Sequence, residues 1–333
     1  MLATKLKIKL QSKTKFAIFC TLIAAIAFIF WRSSPSIDDT VFEGKLANGR
    51  NTPAQGAAAE RIHPPIQLGN TETRQARSST RSEIYQEYLG SRDLYATFKK
   101  FSADKLNPEA RYFAAAALQN CVHFTPGSAG ILRAKIAKES GGALATTRVD
   151  SLNRLQTECA NFPQDFWREA NPWKSLEDAA TSGDPKSKAA LLARNEPASA
   201  NDFLKLAAEA QDLVSTKDPV VIDNLASYFD ERNQFATWQI PQIPGAVSGN
   251  QIAAAMRLAA CDFGYDCDGN SREIAAGCVR FARCDMSNRE SAFQHYVATP
   301  EEYSRVLALR ELIVNGISNG RWPEGFWTGS RRK

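Results

Sequence analysis

Between residues 299 and 319 apolar side chains return with the period of a helix. At 100° per residue, Tyr303, Val306, Leu307, Val314 and Ile317 fall within an arc of about 100°, the stripe of an amphipathic helix. Arg310 lies in the same stripe and reads as a long side chain that carries its charge from the edge of a packing site out to water. Start signals recur upstream at short intervals. Asn107-Pro108-Glu109 offers an N-cap, a proline at the first helical position and an acid in the first turn. Ser287 to Glu290 and Thr299 to Glu302 have the spacing of a capping box, and Asp184-Pro185 and Ser271 open further helices. The segments behind these signals are rich in Ala, Leu, Gln, Glu, Lys and Arg, strong helix formers, and predict roughly ten to twelve helices between 82 and 320. Strand-like alternation is missing, and residues 240–247 (IPQIPGAV) are broken by prolines, so they read as a connection between helical blocks. The expected fold is all-α.

Trp173 to Leu192 (WKSLEDAATSGDPKSKAALL) resembles the Sel-like repeat, a relative of the TPR helical hairpin. Trp173, Ala179, Ala180, Gly183 and Asp184 carry the likeness, and Asn107 to Leu118 looks like the first helix of another copy. Position 187 is Ser where the repeat usually has Ala, and no second full copy follows at a fixed period. The resemblance implies stacked αα-hairpins and a role in binding proteins or peptides. Its small residues let helices approach closely, and Gly183 can take the left-handed conformation that ends a helix.

The longest apolar run lies elsewhere. Phe16 to Trp31 is sixteen residues without a charge. As a helix it spans about 24 Å, short of the roughly 30 Å hydrocarbon core, a gap that Lys15, Arg32, Trp31 and slight bilayer thinning can close. Lysines before the run and acids after it place the N-terminus in the cytoplasm and the rest outside it, as a single-pass inner-membrane protein with a periplasmic domain. The competing reading is a signal peptide, since Ala25-Ile26-Ala27 matches a cleavage site and cleavage near Ala27 would release a secreted protein. Residues 1–15 form the basic N-region, 16–31 the anchor and 32–80 a Pro-, Gly- and Ser-rich linker. As a flexible coil its 49 residues would span on the order of 35–42 Å. Beyond it, 81–245 reads as a helical-hairpin domain and 246–328 as a disulfide-bearing helical module.

Charge excludes one class of partner. Of 41 basic residues, five are lysines (5, 7, 9, 13 and 15) that precede the first acid, Asp38, which leaves 36 against 36 acids. The chain beyond residue 15 is formally neutral and does not read as a nucleic-acid binder.

Cys20 lies in the apolar run; Cys121, Cys159, Cys261, Cys267, Cys278 and Cys284 form an even set in the exported part, which favours disulfides. Five, ten and five residues separate the last four. A nested pairing, Cys267 with Cys278 and Cys261 with Cys284, suits an antiparallel helical hairpin best; the other two connectivities and a four-cysteine zinc site stay open. By elimination Cys121 pairs with Cys159.

Signals for chemistry are thin. His123 lies two residues from Cys121, but a cysteine in a disulfide is no nucleophile; His63 falls in the linker and His295 among core-type residues. Residues 316–320 match G-x-S-x-G, yet a helix precedes them where the nucleophile elbow needs a strand. The acidic loop from Asp262 to Glu273 could suit calcium, but the EF-hand register puts Ser271 at its glycine and Gly277 at its glutamate. Glu109, Glu158, Glu169 and Glu177 could supply a carboxylate pair for glycan hydrolysis only by their abundance. No cofactor motif is present. The sequence therefore points to a membrane-anchored helical scaffold with a protein or peptide partner, with an envelope hydrolase as the alternative.

Overall fold

The computed structural model describes residues 81–168, 170–194, 200–232, 236–296, 298–322 and 326. The anchor and linker expected over 16–80, including Phe16 and Trp31, lie outside the described residues. Among the described residues no helix is long and apolar enough to cross a membrane. They fold into thirteen α-helices: α1 Glu83–Gly90, α2 Leu94–Ala103, α3 Pro108–Cys121, α4 Pro126–Glu139, α5 Gly142–Cys159, α6 Pro172–Thr181, α7 Pro185–Leu192, α8 Ala200–Ser215, α9 Pro219–Ser227, α10 Gly249–Asp262, α11 Arg272–Phe281, α12 Arg289–Tyr296 and α13 Pro300–Ser318. The protein is all-α in character.

Local chemistry explains most helix starts. Asn107, Asn171 and Asp218 each accept two backbone N–H bonds ahead of a proline in the first turn. Thr299 and Glu302 close a full capping box on α13. The box expected at Ser287 does not form: Asn288 caps α12 by accepting from the Ser291 N–H, and Glu290 is drawn away to Arg310 and Tyr303. Gly183, at φ 98°, turns α6 into α7 in the left-handed region that a side chain would disfavour.

Two apolar cores form. One gathers α1 to α6 around Phe113, Leu118, Leu152 and Leu176, and takes in Ala275 and Val279 from α11. The other gathers α7 to α10 and α13, with Trp322 and Phe326 folded back onto it. Its centre is α10, whose Ile252 to Met256 and Leu258 to Ala260 are all buried. A helix apolar on every face must be enclosed, and its alanines let α9 and α13 come close. The boundary expected at 245/246 falls inside a short antiparallel hairpin, Thr237–Gln239 (β1) with Ala246–Ser248 (β2), where Trp238 faces Val247. Helices from both sides of it share both cores. Only three residues per strand leave no alternation to read in the sequence, which is why this hairpin was not expected.

On α13 the buried positions are Val306, Leu309, Ile313 and Ile317, so the stripe is rotated toward Leu309 and away from Tyr303 and Val314. Arg310 corrects its own expectation. It is held by carboxylates rather than carried out to water; its side chain is 17% exposed and grips Asp262 at 2.7 and 2.8 Å and Glu290 at 2.9 Å.

Candidate functional site

Four of the six cysteines lie in the last turns of helices, and Cys267 and Cys284 lie in loops. Cys121 closes α3 and Cys159 closes α5, and they are bonded with Cα atoms 5.4 Å apart. Cys261, in the last turn of α10, pairs with Cys267, and Cys278, in α11, pairs with Cys284. The nested pairing is thereby overturned. Cys261 and Cys278 each take the next cysteine along, in the loop that leaves their own helix. The two loops then run side by side: Asp268 bridges Asn288, and the Arg289 N–H donates to the Cys267 carbonyl at 2.9 Å. Gly269 permits this approach, since a Cβ there would lie 2.7 Å from the Met286 carbonyl oxygen. With the four sulfurs divided between two bridges, the zinc alternative has no ligands, and among the described residues no group of three His, Cys, Asp or Glu could hold a metal.

Three ionic clusters lie between helices. In the first, Lys186 of α7 is 5% exposed and reaches Glu109 of α3 at 3.0 Å and Asp218, the cap of α9, at 2.7 Å. Burial pulls its ammonium down, but the two carboxylates outweigh this and raise it above the ordinary lysine range. Ser82 donates to Glu109 at 2.5 Å, which ties α1 to the same point. In the second, Glu158 is 3% exposed and takes Arg272 at 2.5 Å and Arg154 at 3.4 Å. Arg272 also donates to the Tyr88 and Ser91 carbonyls.

The third cluster is the largest. Arg289 binds Asp223 of α9 at 2.6 Å and Glu273 of α11 and lies 4.4 Å over the Tyr265 ring. Arg257 pairs with Asp230 at 2.8 Å beside it. Burial raises the Tyr265 hydroxyl well above the usual phenol range, and the Asp223 charge adds to that. Arg310 holds Asp262 and Glu290, and Glu290 also accepts from the Tyr303 hydroxyl; burial and the Glu290 carboxylate push Tyr303 up to about 12. Arg81 donates to the Gly264 and Tyr265 carbonyls, so the described chain begins fastened to this loop.

These arrangements cross-link helices. Of the glutamates weighed as a carboxylate pair, Glu109 and Glu158 are each held by a cation in separate clusters, Glu177 is exposed on α6, and Glu169 lies outside the described residues. Asp262 and Glu273, from the loop weighed for calcium, are taken by Arg310 and Arg289. His123 and His295 are exposed, residues 316–320 form a helix end, and His63 is outside the described residues.

Sequence reasoning missed Arg289, Arg272 and Lys186, because nothing in the local pattern separates a cation that will be enclosed from a solvated one. It also missed an aromatic face. Tyr95 and Phe98 of α2 meet Phe162, Phe166 and Trp167, with ring centroids 4.9 to 6.4 Å apart. All but Phe162 remain half-buried, and Lys99 lies 4.6 Å over Tyr95. The three-residue spacing of Tyr95 and Phe98 and the Phe166-Trp167 pair were the available signal. No protein-family model, curated protein or solved structure matches the chain.

Proposed function

We propose that the chain is a helical interaction module that works outside the cytoplasm, held at the inner membrane by residues 16–31. One observation carries the reading: all six cysteines from residue 121 onward meet in three pairs at disulfide distance, with Cα atoms 4.3 to 5.7 Å apart. Such a set persists in an oxidising compartment. The lysine-flanked apolar run supplies the route there and the bilayer contact. The α6–α7 hairpin, turned at Gly183, supports the Sel-like reading and with it a protein or peptide partner. The half-buried aromatic face of Tyr95, Phe98, Phe166 and Trp167 is the surface offered to that partner, since aromatic rings are enriched where proteins meet.

The test has two arms. Intact mass of the native protein from fractionated cells, with and without thiol alkylation, should give a full-length membrane protein with six blocked thiols. A soluble chain shortened by about 27 residues would instead make it secreted, and free thiols would overturn the export reading. A photo-cross-linking residue in place of Phe98 should give discrete protein adducts that the same residue in place of exposed Leu106 does not. Identical adduct patterns would overturn the aromatic face.

A further inference from the structure

Helices α4 and α5 leave a groove of about 400 Å³ between them, lined among others by Phe124, Pro126, Arg133, Asn153, Gln156 and Thr157. That is within the size range of small-ligand sites. Asn153, Gln156 and Thr157 fall on one face of α5 at helical spacing, with Ala160 just past its end, opposite Pro126 and Arg133 of α4. Its apolar part comes from Pro126, Ala160 and the accessible edges of Phe124 and Cys159, both otherwise buried.

The polar part is biased toward donors. Arg133 Nη2 donates to Asn153 Oδ1 at 2.7 Å and to Gln156 Oε1 at 2.5 Å. Each carboxamide oxygen takes one bond from Arg133 and keeps a second lone pair, while the amide N–H groups and the guanidinium, which has no acceptor at all, supply the donors that a carboxylate needs. Among the residues lining the groove none is acidic. The guanidinium is thus oriented by two amides and neutralised by nothing in the groove. Thr157 differs: its hydroxyl donates to the Asn153 carbonyl at 2.8 Å, so its lone pairs can accept an N–H.

We propose that this groove binds the free C-terminus of a polypeptide that ends in an apolar residue. The carboxylate takes the donors of Arg133, Asn153 and Gln156, and the apolar side chain covers Pro126, Ala160 and the edge of Phe124. The Thr157 hydroxyl receives a backbone N–H, which a peptide has and a fatty acid lacks. The proposal deepens the interaction-module reading and rests on it, but uses a surface separate from Phe98.

The experiment is fluorescence anisotropy of full-length protein in detergent micelles with a labelled hexapeptide ending in leucine, as the free acid and as the C-terminal amide. The free acid should bind, and amidation should weaken binding about tenfold or more, the size of a lost charge-assisted hydrogen bond. Arg133→Gln should weaken the free acid by a similar factor and abolish the preference for it over the amide. Asn153→Asp, which places a negative charge among the donors, should weaken the free acid further. Melting curves of both variants that overlay the parent's separate lost binding from lost folding. Equal binding of acid and amide, or an unchanged preference in Arg133→Gln, overturns the proposal, as does the absence of any binding. Specific cross-linking at Phe98 alongside such a failure would leave the wider reading standing.

Discussion

Glu158 lies 3% exposed with Arg272 against it at 2.5 Å, in a place where either charge alone would be costly. Removing one partner of a buried pair leaves the other uncompensated, which typically costs about 3–5 kcal/mol. Glu158→Ala should therefore lower the urea midpoint strongly, whereas Glu177→Ala, an exposed carboxylate on the same protein, should leave it within error. Asp184 differs in kind. Burial raises its carboxyl above the ordinary value of 3.8, against the Ser187 N–H and the Lys186 charge, which pull it down, while Asp218 adds to the rise. A folded-state value above the unfolded one means that the native state binds the proton more tightly. The cost of the buried anion is then full at neutral pH and disappears as pH falls through the raised value to below 3.8. Measured against Asp184→Asn, which cannot titrate, the parent should gain relative stability across that window on acidification. A constant difference between the two would show that the group titrates as it does in the unfolded chain.

At the scale of helices, the sequence was most legible where a few adjacent residues settle the matter. Caps at Asn107, Asp184, Ser271 and Thr299 all sit where their side chains predicted. Thr299→Ala should cost about 1 kcal/mol, the usual worth of such a cap, while Ser287→Ala should cost much less because Asn288 holds the N-terminus of α12. Denaturation of the two variants side by side checks the contrast. Legibility failed where distant partners decide. The pattern could place Arg310 on the packing side of α13, but only the fold brings Asp262 and Glu290 to meet it, 48 and 20 residues away in sequence. The ionic clusters share this property, since each joins side chains from several helices. The binding groove does too: Arg133 and Gln156 are 23 residues apart, and each alone looks like an ordinary surface residue.

For the molecule as a whole, the three disulfides should not be equal. Cys121–Cys159 joins residues 38 apart, and the other two join residues six apart. Loop-closure entropy puts the long bridge at about 4 kcal/mol and each short one at about 2 kcal/mol. The double variant Cys121→Ser/Cys159→Ser should accordingly lose the most stability, read as the largest drop in melting temperature under non-reducing conditions. Equal drops for all three pairs would mean that restraint of the unfolded chain is not what the bridges contribute. The pairing order has another consequence. Every cysteine from residue 121 onward is bonded to its nearest neighbour of the same kind along the chain: first with second, third with fourth, fifth with sixth. A polypeptide threaded from its N-terminal end into an oxidising space presents these thiols two by two. An oxidant that joins each newly arrived thiol to the one still waiting completes the native set as synthesis proceeds. Thiol–disulfide exchange to repair wrong bridges, slow where several connectivities compete, has no part to play in that sequence of events.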